Sequence, residues 1–190
     1  MKKIDVRFSA SDMEILKSLV SRKMDAYKCD PFLFSTGVYG IVGISCEDVA
    51  IGFTNLIEST DYFGEQEDVA VFRMKEMPFQ EIHSLVQEQE MVVTPVNSII
   101  SRVDIVNEHQ KLFEGDAQTF DVWITRGVIF YFDDGHELSF EKNIWFSEDI
   151  SVEKGYHVIQ RFTPLDEFEE GWSGNFRGEC SREVIVLQKN

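Results

Sequence analysis

The stretch Val128-Ile-Phe-Tyr-Phe-Asp-Asp-Gly-His-Glu-Leu-Ser-Phe-Glu141 decides the fold class. An apolar run from Val128 to Phe132 meets Asp133-Asp134-Gly135-His136, and an alternating run from Glu137 to Glu141 follows. An Asp-Gly pair between two such runs predicts a β-hairpin, because glycine tolerates the positive φ that a type I′ turn demands.

The same β-branched and aromatic texture recurs outward on both sides. Strands are predicted over residues 39–45, 49–56, 69–74, 98–106 and 120–124 before the hairpin, and over 150–153 and 184–187 after it. Helical period is confined to short segments. Residues 11–26 carry Ile15, Leu16, Leu19 and Val20 on one face, with Ser11 as N-cap and Glu14 at capping-box spacing. That helix should stop before Cys29-Asp30-Pro31, since the residue preceding a proline is pushed away from helical angles. Residues 79–89 place Phe79, Ile82, Leu85 and Val86 on one face, and 156–162 form a short helix halted by Pro164. Residues 166–178 read as an acidic, glycine-rich connector holding Trp172 and Phe176. The expected fold class is α+β, mostly β: an antiparallel sandwich or partly open barrel, with an N-terminal helix and one or two short covering helices. One domain over 1–190 is expected. The order of features in about 32–95 and 98–190, from Gly40-Ile-Val-Gly-Ile and Gly127-Val-Ile-Phe-Tyr onward, has the pattern of a weak internal duplication, but β-hairpins converge on the same pattern from turn chemistry and alternation alone, and that is the preferred reading.

A chain of 190 residues can bury enough surface to fold without metals or disulfides. Three cysteines, Cys29, Cys46 and Cys180, cannot all pair within one chain, which points to a reducing compartment. Charges within residues 2–7 stand where a secretory signal needs an apolar run, and no stretch is long and apolar enough to span a membrane. A cytoplasmic protein is expected. Net charge is -16, from 34 acidic and 18 basic residues, and this argues against conventional nucleic-acid binding and against anionic membranes. The imbalance is uneven. Residues 1–28 hold seven basic and four acidic side chains, so this segment docks naturally against the acidic remainder.

Motifs with chemical meaning are sparse. Gly37, Gly40 and Gly43 lie in an apolar run and read as a bulged strand rather than a phosphate loop, which needs a helix N-terminus after the glycines. Asp133, Asp134, His136 and Glu137 are weak metal candidates, because metal sites collect ligands from separate elements and no second histidine or cysteine lies beside them. No cofactor is expected, and the sequence leaves open whether the protein is an enzyme. The acidic stretches at Glu65, Glu67 and Asp68 and at Glu148 and Asp149, with Trp172 as the exposed ring, form a candidate face for a basic protein partner. Phe63, Phe146 and Phe168 are assigned to the core. Three functions follow: first, a non-enzymatic acidic interaction protein; second, a small-molecule or carbohydrate-binding β-domain with an aromatic-lined pocket, with or without hydrolytic carboxylates; third, a metal-dependent enzyme using Asp133, Asp134, His136 and Glu137.

Overall fold

A computed structural model describes residues 2–33, 35–62 and 65–189, apart from the side chains of Tyr62 and Glu65. Its spine is β7 (Val92–Glu114), which is 23 residues long and belongs to two half-sheets. The first third pairs antiparallel with β2 (Lys23–Cys29); the rest pairs with β8 (Ala117–Phe132) on one edge and β11 (Phe176–Leu187) on the other. From β2 the sheet continues through β4 (Ile41–Cys46), β5 (Val49–Tyr62) and β6 (Glu65–Glu76). From β8 it continues through β9 (Glu137–Lys142), β10 (Asp149–Gly155) and β3 (Gly37–Tyr39), and β1 (Lys2–Val6) lies parallel to the start of β8. The result is mostly antiparallel β, an open sheet folded into two layers.

The main core fills the space between those layers. Phe53 of β5 meets Phe72 of β6 at 5.9 Å, Phe130 of β8 at 6.2 Å and Phe140 of β9 at 5.5 Å between ring centroids. Leu16 and Leu19 close one end of this core from the first helix. Antiparallel partners share a face of the sheet, so the register sorts β7 into two sides. Val103 and Ile105 face the main core. Val106, Glu108, Gln110 and Leu112 point to the opposite side, which a separate set of elements covers.

The hairpin at 133–136 forms as expected, with Gly135 at φ +85°. Other boundaries differ from the sequence reading, for identifiable reasons. The first helix, α1 (Ala10–Ser18), is capped by Ser9 rather than Ser11, in a reciprocal capping box with Asp12. It stops well short of residue 26 because Ser21 N–H donates to Ile100 O and Ile100 N–H to Arg22 O, which captures the chain as β2. Within 79–89 only a 3-10 turn (Phe79–Glu81) forms; Ile82 is buried on Gly43, while Leu85 and Val86 are exposed. Residues 156–162 likewise give a 3-10 turn (Val158–Arg161), and the connector contains α2 (Asp166–Glu170) before entering β11. Gly40 is the joint between β3 and β4, and Gly43 lies inside β4, so neither opens a helix.

The segments predicted at 120–124 and 128–132 are one strand, β8. Val106 pairs with Gly127 and Asn107 with Thr125, so Arg126 is an extra residue in a β-bulge. The bulge keeps Arg126 in phase with Val122 and Ile124 and brings Gly127 onto that same side. A Cβ at Gly127 would stand 2.4 Å from the Phe140 carbonyl oxygen and 2.9 Å from the Phe162 ring. Gly127→Ala should therefore cost about 3 kcal/mol or more. Urea denaturation of the variant measures the loss, and wild-type stability would exclude this packing constraint.

Candidate functional site

On the covered side of the sheet, charges occur where apolar side chains are expected. Glu108 comes from β7, Arg126 from the β8 bulge, Glu141 and Lys142 from the end of β9, and Arg182 from β11. The first four are at most 6% exposed. Taking ions out of water costs several kcal/mol each, so such groups persist only when paired. Arg126 Nε lies 2.9 Å from Glu141 Oε1 and 3.8 Å from Glu108 Oε1. Arg182 Nη2 donates to Glu108 Oε1 at 2.6 Å.

The same ions hold the covering segment in place. Thr163 N–H donates to Glu141 Oε1 at 2.8 Å, and Thr163 C=O accepts from Arg182 Nη2 at 2.7 Å. One residue thus closes on an acid through its amide and on a base through its carbonyl. Pro164 and Leu165 follow, and Phe168 of α2 stacks on Trp145 at 5.6 Å between centroids. Val69, Ala70 and Val71 of β6 form the facing wall.

Between wall and sheet lies a cavity of about 30 Å³, lined by Glu108, Arg126, Lys142, Trp145, Leu165 and Phe168 among others. That is room for roughly two water-sized groups. Among the described residues, Arg126 Nη2 and Arg182 Nε are buried without a hydrogen-bond partner. Desolvation, reinforced by the neighbouring Arg126 charge, drives the Lys142 ammonium down from 10.5 to about 7, against the opposing pull of Glu108 and Glu141. Its Nζ donates to Asn143 O at 2.8 Å. Cys180 also lines the cavity, but burial first, and Glu108 second, push its thiol up to about 12, so it is no thiolate nucleophile at neutral pH.

None of these five charged residues was a candidate in the sequence. The available signal was a charge in phase with an apolar face: Glu108 after Ile105-Val106, Arg126 between Ile124 and Val128, and Glu141-Lys142 after Leu138 and Phe140. The residues that were candidates have other surroundings. Glu67 and Asp68 lead into the cavity wall, whereas the side chain of Glu65, like Phe63, lies outside the described residues. Glu148 is committed to the fold: Tyr39 O–H donates to its Oε2 at 2.6 Å and Ile57 N–H to its Oε1 at 3.0 Å. Asp149 opens β10 opposite Tyr39 and is partly buried. Trp172 is not the exposed ring; it is partly buried, 5.3 Å from Trp145 and 5.8 Å from Phe168. Phe168 is buried as expected, but Phe146 is 54% exposed.

The hairpin acids serve the backbone. Asp133 accepts from Ile99 N–H, Asp134 from His136 N–H and Glu137 from Val158 N–H. Among the described residues no three His, Cys, Asp or Glu side chains converge as a metal site, and no helix is long and apolar enough to cross a membrane. The chain matches no family model, no curated protein and no solved structure.

Lys142 makes the cluster pH-sensitive. Its pKa is lowered on folding, so the unfolded chain binds the extra proton between about 7 and 10.5 and stability rises with pH across that window. Lys142→Met should therefore stabilise the protein, by roughly 3 kcal/mol more at about pH 6 than at about pH 9. Paired urea titrations measure the difference, and an equal effect at both pH values would refute a depressed Lys142.

Proposed function

We propose that the protein binds a small carboxylate-bearing molecule beneath Thr163 and α2, with the cover shifting to enlarge a cavity that holds roughly two water-sized groups when closed. The observation that carries this reading is Arg126, a guanidinium 3% exposed whose Nη2 has no hydrogen-bond partner among the described residues although it borders a cavity. Guanidinium N–H groups match carboxylate oxygens in geometry and charge. Among the buried groups, Glu108 and Glu141 are already balanced by Arg182 and Arg126, so protonated Lys142 leaves one positive charge in excess; Glu167 also borders the cavity but is exposed and screened by water. Trp145 and Phe168 supply the aromatic wall expected of a small-molecule site.

The acidic rim opposes this ligand and must be weighed. Asp166, Glu167, Glu169 and Glu170 are exposed, and exposed charges are screened beyond about 8 Å at physiological salt. The interior donors are desolvated and barely screened, so they dominate affinity while the rim slows association. Free thiols at Cys29, Cys46 and Cys180 support a reducing, cytoplasmic setting for this binding protein.

A second reading, a basic protein partner, has one observation in its favour. Asp166, Glu167 and Glu170 make no ion pair among the described residues, and Phe146 is an exposed ring. Such a partner would dock on that face, be captured at low salt and be lost at high salt. No conventional nucleic-acid contact is proposed.

Glycolate and acetate are the probes for the first reading. Each should raise Tm with rising concentration, and Arg126→Lys, which keeps the charge paired to Glu141 but loses the fork, should weaken the effect at least tenfold. Because the bound anion raises the Lys142 pKa, calorimetry at about pH 8 in buffers of different ionisation enthalpy should register proton uptake. Added salt should leave affinity unchanged or raise it. No Tm rise with either acid overturns the carboxylate reading.

A further inference from the structure

Lys142 has a feature that anion binding alone does not use. A lysine that only neutralises a carboxylate works best as a permanently charged, solvated ammonium; this one is 4% exposed and lines a cavity beside the Arg126 guanidinium. We infer that Lys142 is a nucleophile that captures a small 2-oxo acid as an imine, an inference that rests on the carboxylate reading above.

The charges that act on Lys142 are Arg126 on β8, Glu108 on β7 and Glu141 on β9, with Glu167 of α2 lining the same cavity; Arg182 on β11 pairs with Glu108, and β10 sets the apolar Ile150 opposite Lys142. Arg126 and Lys142 divide the work between two ends of one ligand. Arg126 Nη2, on a residue that lines the cavity and without a partner among the described residues, is the donor for the carboxylate. The carbonyl carbon beside that carboxylate is the electrophile for the amine. At neutral pH an ordinary lysine is about 0.1% free amine or less, whereas burial leaves roughly half of Lys142 unprotonated near pH 7. A desolvated lysine beside another cation is an established route to an amine nucleophile.

The step balances within the site. The Nζ lone pair forms the C–N bond while the carbonyl π electrons move to oxygen. One amine proton reaches that oxygen through a neighbouring carboxylate, Glu108 or Glu141, to give the carbinolamine. The C–O bond then breaks, the second amine proton leaves with the oxygen as water, and the nitrogen lone pair closes C=N. No oxidant or reductant takes part. The aromatic and proline cover limits bulk water, which otherwise hydrolyses an imine.

The test uses glyoxylate with sodium cyanoborohydride, which reduces an imine to a stable secondary amine, on the full chain near pH 7. Intact mass should show a single adduct, and peptide mapping should place it on Lys142. At sub-saturating glyoxylate, where the unliganded lysine sets the profile, the trapping rate should rise through about pH 7 and level off above it. Glycolate, which has the carboxylate but no carbonyl, should compete and protect Lys142. Lys142→Arg should abolish the adduct, and because mapping on the wild type locates it independently, a poorly folded variant does not decide the matter. Adducts confined to exposed lysines, with Lys142 unmodified, overturn the imine. If glycolate still raises Tm in that case, the carboxylate reading stands and only the covalent step falls. If glycolate has no effect, both fall.

Discussion

The Arg126–Glu141 ion pair, closed at 2.9 Å with both partners almost wholly buried, is the contact on which the covered side of the sheet depends. Removing one partner of such a pair leaves an uncompensated buried charge, at a cost of about 3–5 kcal/mol. The pair therefore constrains everything around it. Glu141 must keep its bond from Thr163, which fixes where the covering segment starts. Arg126 must reach Glu141 from the neighbouring strand, which requires the bulge, and the bulge requires glycine at 127 because the β9 backbone passes so close. Arg182 and Glu108 repeat the arrangement one strand over and grip the same threonine through its carbonyl.

An apolar arrangement of similar volume would serve stability as well or better, since replacing buried ion pairs by packed hydrophobic residues is often neutral or stabilising. The neighbouring packing makes that alternative visible. On either side of the charges lie ordinary apolar clusters, Val69, Val71, Leu112, Phe120, Val122 and Ile124 on one flank and Val106, Ile129, Val158 and Phe162 on the other. Charges placed between two competent hydrophobic clusters, with donors unpaired and an amine held near neutrality, match the pattern of a functional site more closely than that of a structural one.

The acidic surface and the buried charges beneath Thr163 act at different ranges. The -16 excess governs solubility and encounter. In the proposed site, Arg126 and Lys142 would govern what is held, because screening of buried charges is weak. The basic N-terminal segment belongs to the first regime: Lys2 pairs with Asp61 of β5 and Arg22 with Asp48 in the turn between β4 and β5, as simple docking of that segment onto the acidic body requires.

Local chemistry by itself determined the β-rich class, the hairpin at Asp133–His136 and the presence of a capped N-terminal helix, because turn geometry, alternation and capping depend on residues a few positions apart. Even the break read between residues 124 and 128 was a true signal, since Thr125-Arg126-Gly127 interrupts an apolar strand; it marks a bulge rather than a loop. Tertiary structure alone decided that Lys23–Cys29 is strand and not helix, that Trp172 is stacked and not exposed, and that Glu108, Arg126, Glu141, Lys142 and Arg182 form one cluster. These five residues span 75 positions and four strands. Their meaning lies in desolvation and mutual distance, and both arise only when the strands that carry them are brought side by side.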